Sequence, residues 1–107
     1  MKHAMRPQAQ KAFHQELEEA ERFGTLAVKE TCAIAIDKVQ YWEQLSAMGV
    51  SLLQAAESAL QRNDKEMTCT YFFLYDELCE YAKENLKPEG YHLFCEQQMK
   101  YEPYLYL

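Results

Sequence analysis

The residues best suited to metal chemistry lie in the stretch EGYHLFC, where Glu89 and His92 are followed by Cys95. Glu89 and His92 have the E-x-x-H spacing of helical di-iron sites, but such sites need two of these pairs and two further carboxylates. This chain has one pair. A zinc ion could instead be held by His92, Cys95, Cys79 and Cys69 if two helices brought them together. We favour an ordinary helix surface without a metal, and keep a metal- or cofactor-binding protein around Glu89, His92 and Cys95 as an alternative.

No motif for covalent or phosphate chemistry occurs in the sequence. There is no nucleophile elbow, no P-loop and no G-x-G-x-x-G sequence, and the three glycines of the chain leave no phosphate-binding loop. Cysteine, serine and histidine are present, but residue types alone do not make a catalytic arrangement. We therefore expect a protein that is not an enzyme and that carries no cofactor.

Hydropathy and cysteine spacing predict a cytoplasmic protein. The longest apolar runs, CAIAI and YFFLY, have five residues each, whereas a bilayer span needs about 20. The basic N-terminus is not followed by the apolar segment of a secretory signal. None of the four cysteines forms a C-x-x-C pair, and without export they are expected to be free thiols.

The C-terminal half is both acidic and aromatic. The chain has 107 residues and a net charge of −6, and residues 64–107 hold nine acidic residues against four basic ones. Ten of the fourteen aromatic residues lie in the same segment. A protein that binds phosphates needs the opposite charge, so we expect no direct contact with nucleic acid.

Phe73 lies within the acidic face of a predicted helix at residues 64–86. On a helical wheel the apolar residues occupy one half, and the other half contains Glu77, Glu80 and Glu84, with Phe73 among them. Such a face is most often simply solvated. An aromatic ring surrounded by carboxylates is also suited to contact a basic, partly apolar partner.

The last seven residues, YEPYLYL, present the same choice between packing and binding. Their apolar side chains could fold back over the helices, or they could dock on a second copy or on another protein. The first interpretation is favoured, and a homodimer or an oligomeric structural subunit is the alternative. The complete set of predicted partner-binding residues is Phe73, Glu77, Glu80, Glu84, Tyr101, Tyr104, Leu105, Tyr106 and Leu107.

Helical periodicity predicts a single all-α domain over residues 1–107, a bundle of four to five helices with short loops. The first helix is expected at 7–23, with a break at Gly24 favoured over continuation. A central helix is expected at 26–48, ending at Gly49. Ser51 and Gln54 then resemble a capping box that starts the next helix. Asn63 is expected to cap the helix at 64–86, and a last helix is expected from about Pro88 to Lys100.

The function favoured by these observations is that of a non-enzymatic inhibitor, adaptor or chaperone that binds another protein. Its partner is expected to have a basic surface, and no membrane is expected to take part. If that basic surface normally binds DNA or RNA, the acidic face would block it by mimicking nucleic acid.

Overall fold

Five α-helices make up the part of the chain that the computed structural model describes, residues 7–100, with side chains described from Lys11 onwards. No strand is present within this range. The prediction of an all-α fold is therefore confirmed. The helices are α1 (Pro7–Glu21), α2 (Thr25–Asp37), α3 (Trp42–Gln61), α4 (Lys65–Asn85) and α5 (Pro88–Met99).

Helices α1 to α4 form a four-helix bundle. The most extensive contact joins α3 and α4, which are connected by a three-residue loop and pack as neighbours. Helix α1 packs on α3, α2 packs on α4, and α1 and α2 contact each other. Helix α5 lies mainly on α3: Gly90 is beside Trp42 and Gln98 is beside Gly49, so α5 runs in the same direction as α3.

The core is built from the apolar faces of all five helices. Leu17 of α1, Val28 of α2, Leu78 of α4 and Phe94 of α5 are almost fully buried. Helix α3 contributes the largest share, which identifies it as the central helix. Its buried apolar side chains are Leu45, Met48, Val50, Leu52, Leu53, Ala55, Ala56 and Ala59.

The predicted central helix at 26–48 is wrong, because the chain turns between Asp37 and Trp42. Helix α3 starts after this turn. The Gln44 side chain supports the start, since its Oε1 accepts the backbone N–H groups of Gln40 at 2.7 Å and Tyr41 at 3.0 Å. These contacts belong to a capping box at the start of α3, although the turn before it contains neither glycine nor proline.

The predicted helix end at Gly49 and the capping box at Ser51 are also wrong, because α3 continues through both residues. Gly49 faces α5, and a Cβ atom there would lie 2.6 Å from Gln98 Oε1. The glycine therefore permits a close helix–helix approach and does not end a helix. Ser51 is buried inside α3, and its hydroxyl has no hydrogen-bond partner among the described residues.

The remaining helix boundaries agree with the predicted ones to within a few residues. The break at Gly24 is confirmed: its φ of 105° is one that side-chain-bearing residues rarely adopt. Asn63 is not the cap of α4. It lies in the left-handed region at φ 60°, and Asp64 is the cap, with Oδ1 accepting the Met67 N–H at 3.1 Å. Helix α5 begins at Pro88, as predicted.

None of the helices described between residues 7 and 100 is both long and apolar enough to cross a membrane.

Candidate functional site

Helix α4 directs an aromatic and acidic surface to solvent. Its buried side, which includes Tyr71, Leu74 and Leu78, packs into the bundle, so the opposite side faces outward. On that outward side Phe73 is 52% exposed. Three glutamates at helical spacing after it are exposed as well. We call Phe73, Glu77, Glu80 and Glu84 together the α4 surface.

Lys29 of α2 places a positive charge over the Phe73 ring. Its Nζ atom lies 5.4 Å from the ring centroid, within the range of a cation–π interaction. The contact exists because α2 packs beside α4. Sequence reasoning missed Lys29, since helix periodicity gives the faces of α2 and α4 but not which two faces meet.

The predicted partner-binding residues of the C-terminal tail, Tyr101 and Tyr104 to Leu107, lie outside the described residues. Their assignment to cis packing or to partner binding therefore stays a prediction.

The candidate metal ligands are not gathered into one site. His92 Nε2 is 3.0 Å from Glu96 Oε1, its neighbour one helical turn later, and both side chains are largely exposed. Glu89 is exposed in the first turn of α5, and Cys69 is exposed on α4. Within the described chain, no group of three or more His, Cys, Asp or Glu side chains could hold a metal ion.

Three of the four cysteines, Cys32, Cys79 and Cys95, pack in or against the apolar core. Burial, together with the charge of Glu77, raises the pKa of Cys32 to about 12, so this thiol stays protonated at neutral pH. Cys79 and Cys95 pack at the edge of the core beside Tyr91. The pKa of Tyr91 is raised, first by its hydrogen bond with the Cys95 side chain. Because the thiolate is the reactive form, Cys32 is not suited to be a nucleophile.

A polar network joins three helices at one end of α1. The Tyr71 hydroxyl of α4 donates a hydrogen bond to Glu21 Oε1 of α1. Arg62, which follows α3, donates to Glu21 Oε2 at 3.0 Å. Tyr71 is fully buried, and burial, followed by the bond to Glu21, raises its pKa far above the ordinary value. Sequence reasoning did not identify this network, because its members are 41 and 50 residues apart.

The network borders a polar cavity of about 760 Å³, whose other walls include His14, Glu18 and Arg22. His14 Nε2 lies 3.3 Å from Glu18, while its Nδ1 is buried and has no partner among the described residues. Glu21 is already paired with both a hydroxyl and a guanidinium. The network therefore links α1, α3 and α4 through side chains.

Comparisons with protein-family models, curated proteins and solved structures found no match.

Proposed function

We propose that this protein binds another protein that has a basic surface, and that the α4 surface makes the contact. The observation that carries the proposal is the half-exposed Phe73 ring beside three exposed glutamates on a well-anchored helix. Large aromatic side chains supply much of the binding energy at protein interfaces. Carboxylates around such a ring favour a partner of positive charge and speed its approach.

The contact with Lys29 supports this choice of partner. A lysine ammonium already lies over the Phe73 ring, so the ring can accept a cation in these surroundings. An exposed cation–π contact contributes only about 0.5–1 kcal/mol. An arginine or lysine of the partner could therefore take the place of Lys29 at small cost.

The biological role that fits such a contact is that of an inhibitor, an adaptor or a chaperone. The nucleic-acid-mimicking inhibitor is the most specific version, because acidic side chains along a helix would compete with phosphates for a basic surface. The C-terminal tail would extend the contact if it docks in trans.

Affinity capture from the native host tests the proposal with a matched pair of variants. Phe73→Ala removes a side chain that is 52% exposed, and Leu60→Ala removes one that is 55% exposed on α3. Neither change opens a cavity in the core. We expect the same partner to be captured by the wild type and by Leu60→Ala, and to be lost with Phe73→Ala. Equal capture by both variants would contradict the proposal.

A second comparison tests the charge. Changing the three glutamates of the α4 surface to glutamine removes three negative charges, and Asp37→Asn with Glu89→Gln and Glu96→Gln removes the same number elsewhere. We expect the first triple variant alone to lose most of its affinity for the captured partner. Raising the salt concentration should weaken the wild-type complex, because exposed charges are screened over about 10 Å at 0.1 M. A salt-insensitive complex would speak against the basic partner.

A further inference from the structure

The seam between α1 and α2 forms an open apolar groove. It consists of two adjoining concavities of about 340 and 230 Å³, which share Glu16 and Ile34. The first lies beside Phe23 and Ala27, near the turn between the helices. The second extends past the other end of the seam and reaches α3 at Met48. We call this feature the α1–α2 groove.

Large apolar side chains are exposed to solvent along the groove. Phe23 is 81% exposed and Ile34 is 58% exposed, and both line it. Between them the walls carry small side chains, such as Ala20 and Ala27, which allow another backbone to approach closely. A concave strip with large apolar side chains along it is the kind of surface that binds the apolar face of a helix.

Acidic side chains line the edge of the groove. Glu16 and Glu19 of α1 and Glu30 of α2 are all exposed lining residues. Lys38 is the one basic residue among the described lining residues of the two concavities. The charge of the edge is therefore mostly negative, and it favours a cationic occupant.

We propose that the α1–α2 groove binds an amphipathic helix of another protein, with an apolar stripe and flanking lysine or arginine residues. From Ala12 to Ala20 the helical wall of α1 is about 12 Å long at 1.5 Å per residue, which matches a little over two turns of a bound helix. Apolar side chains at positions i, i+3 or i+4, and i+7 of that helix would lie along the groove.

The charge argues against two other occupants. A second copy docked groove to groove would place the glutamates of one edge near those of the other, and like charges at close range are unfavourable. The C-terminal segment YEPYLYL has one acidic residue and no basic one, so it lacks the complementary charge.

This inference does not rest on the proposed role of the α4 surface, because the two surfaces share no residue. Their tests are therefore separable. Phe73→Ala should remove binding at the α4 surface while leaving the groove intact, and Ile34→Gln should do the reverse.

The test uses a synthetic amphipathic peptide of about 15 residues with a leucine stripe and flanking lysines, titrated into the isotope-labelled full chain. A control peptide has the same composition in scrambled order. Amide chemical shifts should change along α1 and α2, and the striped peptide should bind roughly tenfold more tightly than the scrambled one.

Variants locate the site. Ile34→Gln should weaken binding of the striped peptide roughly tenfold, whereas Leu60→Gln, an exposed apolar residue outside the groove, should leave it unchanged. The double change Glu16→Lys and Glu30→Lys should weaken binding at low salt, with a smaller effect at high salt. Phe73→Ala should bind like the wild type.

Several results would overturn the inference. One is equal binding of the striped and scrambled peptides, or no binding of either. Another is a set of shift changes confined to α4. Sedimentation showing a dimer that Ile34→Gln dissociates would assign the groove to a second copy. Much tighter peptide binding by a chain ending at Lys100 would assign it to the C-terminal segment.

Discussion

Gly49→Ala tests whether the close approach of α3 and α5 explains a glycine inside a helix. A Cβ atom at this position would lie 2.6 Å from Gln98 Oε1, 3.0 Å from Cδ and 3.1 Å from Nε2. The whole carboxamide would have to move. That group is held in place, because Oε1 accepts the Tyr75 hydroxyl at 3.0 Å and Nε2 donates to the Ser46 carbonyl at 3.0 Å.

Two effects of opposite sign set the size of the change. Alanine in a helix interior is more favourable than glycine by about 1 kcal/mol. Moving the buried carboxamide breaks its hydrogen bonds, and each buried polar group left unsatisfied costs about 1–3 kcal/mol. The carboxamide makes three hydrogen bonds, because Nε2 also donates to the Ser46 hydroxyl at 3.1 Å. If two polar groups lose their partners, the net effect of Gly49→Ala is to lower the free energy of unfolding by about 1–5 kcal/mol.

The assay is urea unfolding followed by circular dichroism, in the wild type and in a Gln98→Ala background. Gln98→Ala removes the obstructing carboxamide, so Gly49→Ala should then raise the free energy of unfolding by up to about 1 kcal/mol. The sign of the Gly49→Ala effect should therefore reverse between the two backgrounds. A stabilising effect of Gly49→Ala in the wild type would show that Gln98 does not obstruct a side chain at position 49.

Three further predictions concern buried hydroxyl and thiol groups. Tyr71→Phe should lower the free energy of unfolding by about 1–3 kcal/mol, because it removes a partly buried hydrogen bond to a carboxylate. Arg62→Ala breaks a half-exposed ion pair and should lower it by less than about 1 kcal/mol. Equal effects of the two variants in urea unfolding would be inconsistent with a structural role of the Tyr71–Glu21 bond. In the native protein a thiol reagent should modify exposed Cys69 quickly and buried Cys32 only as fast as the protein unfolds. Peptide mass spectrometry measures both rates, and rapid modification of Cys32 would disprove its burial. Burial raises the pKa of Cys32 from 9.0 to about 12, so between these pH values the folded state keeps a proton that the unfolded state loses. The resulting contribution to stability is fully present below pH 9.0 and is lost as the pH rises towards 12. Cys32 should contribute up to about 1.4 kcal/mol per pH unit to the fall of the free energy of unfolding in that window, and the raised pKa of Tyr71 adds to the slope above pH 10. Cys32→Ala should reduce the slope, and an unchanged slope would argue against the raised pKa of Cys32.

Local signals were enough to predict the fold class and several helix ends. Pro7 and Pro88 start α1 and α5, as their fixed φ and missing N–H favour. Gly24 separates α1 from α2 because its backbone conformation suits glycine. These residues act within one turn of the chain, so the sequence alone is sufficient to interpret them.

Errors arose where tertiary contacts decide the structure. The turn between Asp37 and Trp42 contains no glycine or proline, and the apolar residues on both sides resembled one continuous central helix. Gly49 looked like a helix end because glycine is common there, yet its role is set by Gln98, 49 residues away. The amino-acid sequence marks a glycine but does not show what approaches it.

In the candidate site, too, the exposed face of a single helix was predictable, whereas contacts between helices were not. The helical wheel placed Phe73 and the three glutamates of the α4 surface on one outward face, and all four are exposed. Lys29 over the Phe73 ring and Arg62 on Glu21 join different helices, so periodicity within one helix could not reveal them. The α1–α2 groove likewise depends on how two helices pack.

Photo-cross-linking from the α4 surface would capture a bound partner and show which of its segments makes the contact. A photoreactive residue replaces Glu80 in one chain and exposed Gln54 of α3 in another, and both chains are irradiated in extract of the native host. If the α4 surface binds a basic partner, one predominant protein should be cross-linked from position 80 and not from position 54. The attachment should lie in a lysine- or arginine-rich segment of that protein, and no cross-link should form at high salt. Equal cross-linking from both positions, or attachment through an acidic segment, would be evidence against a basic partner at the α4 surface.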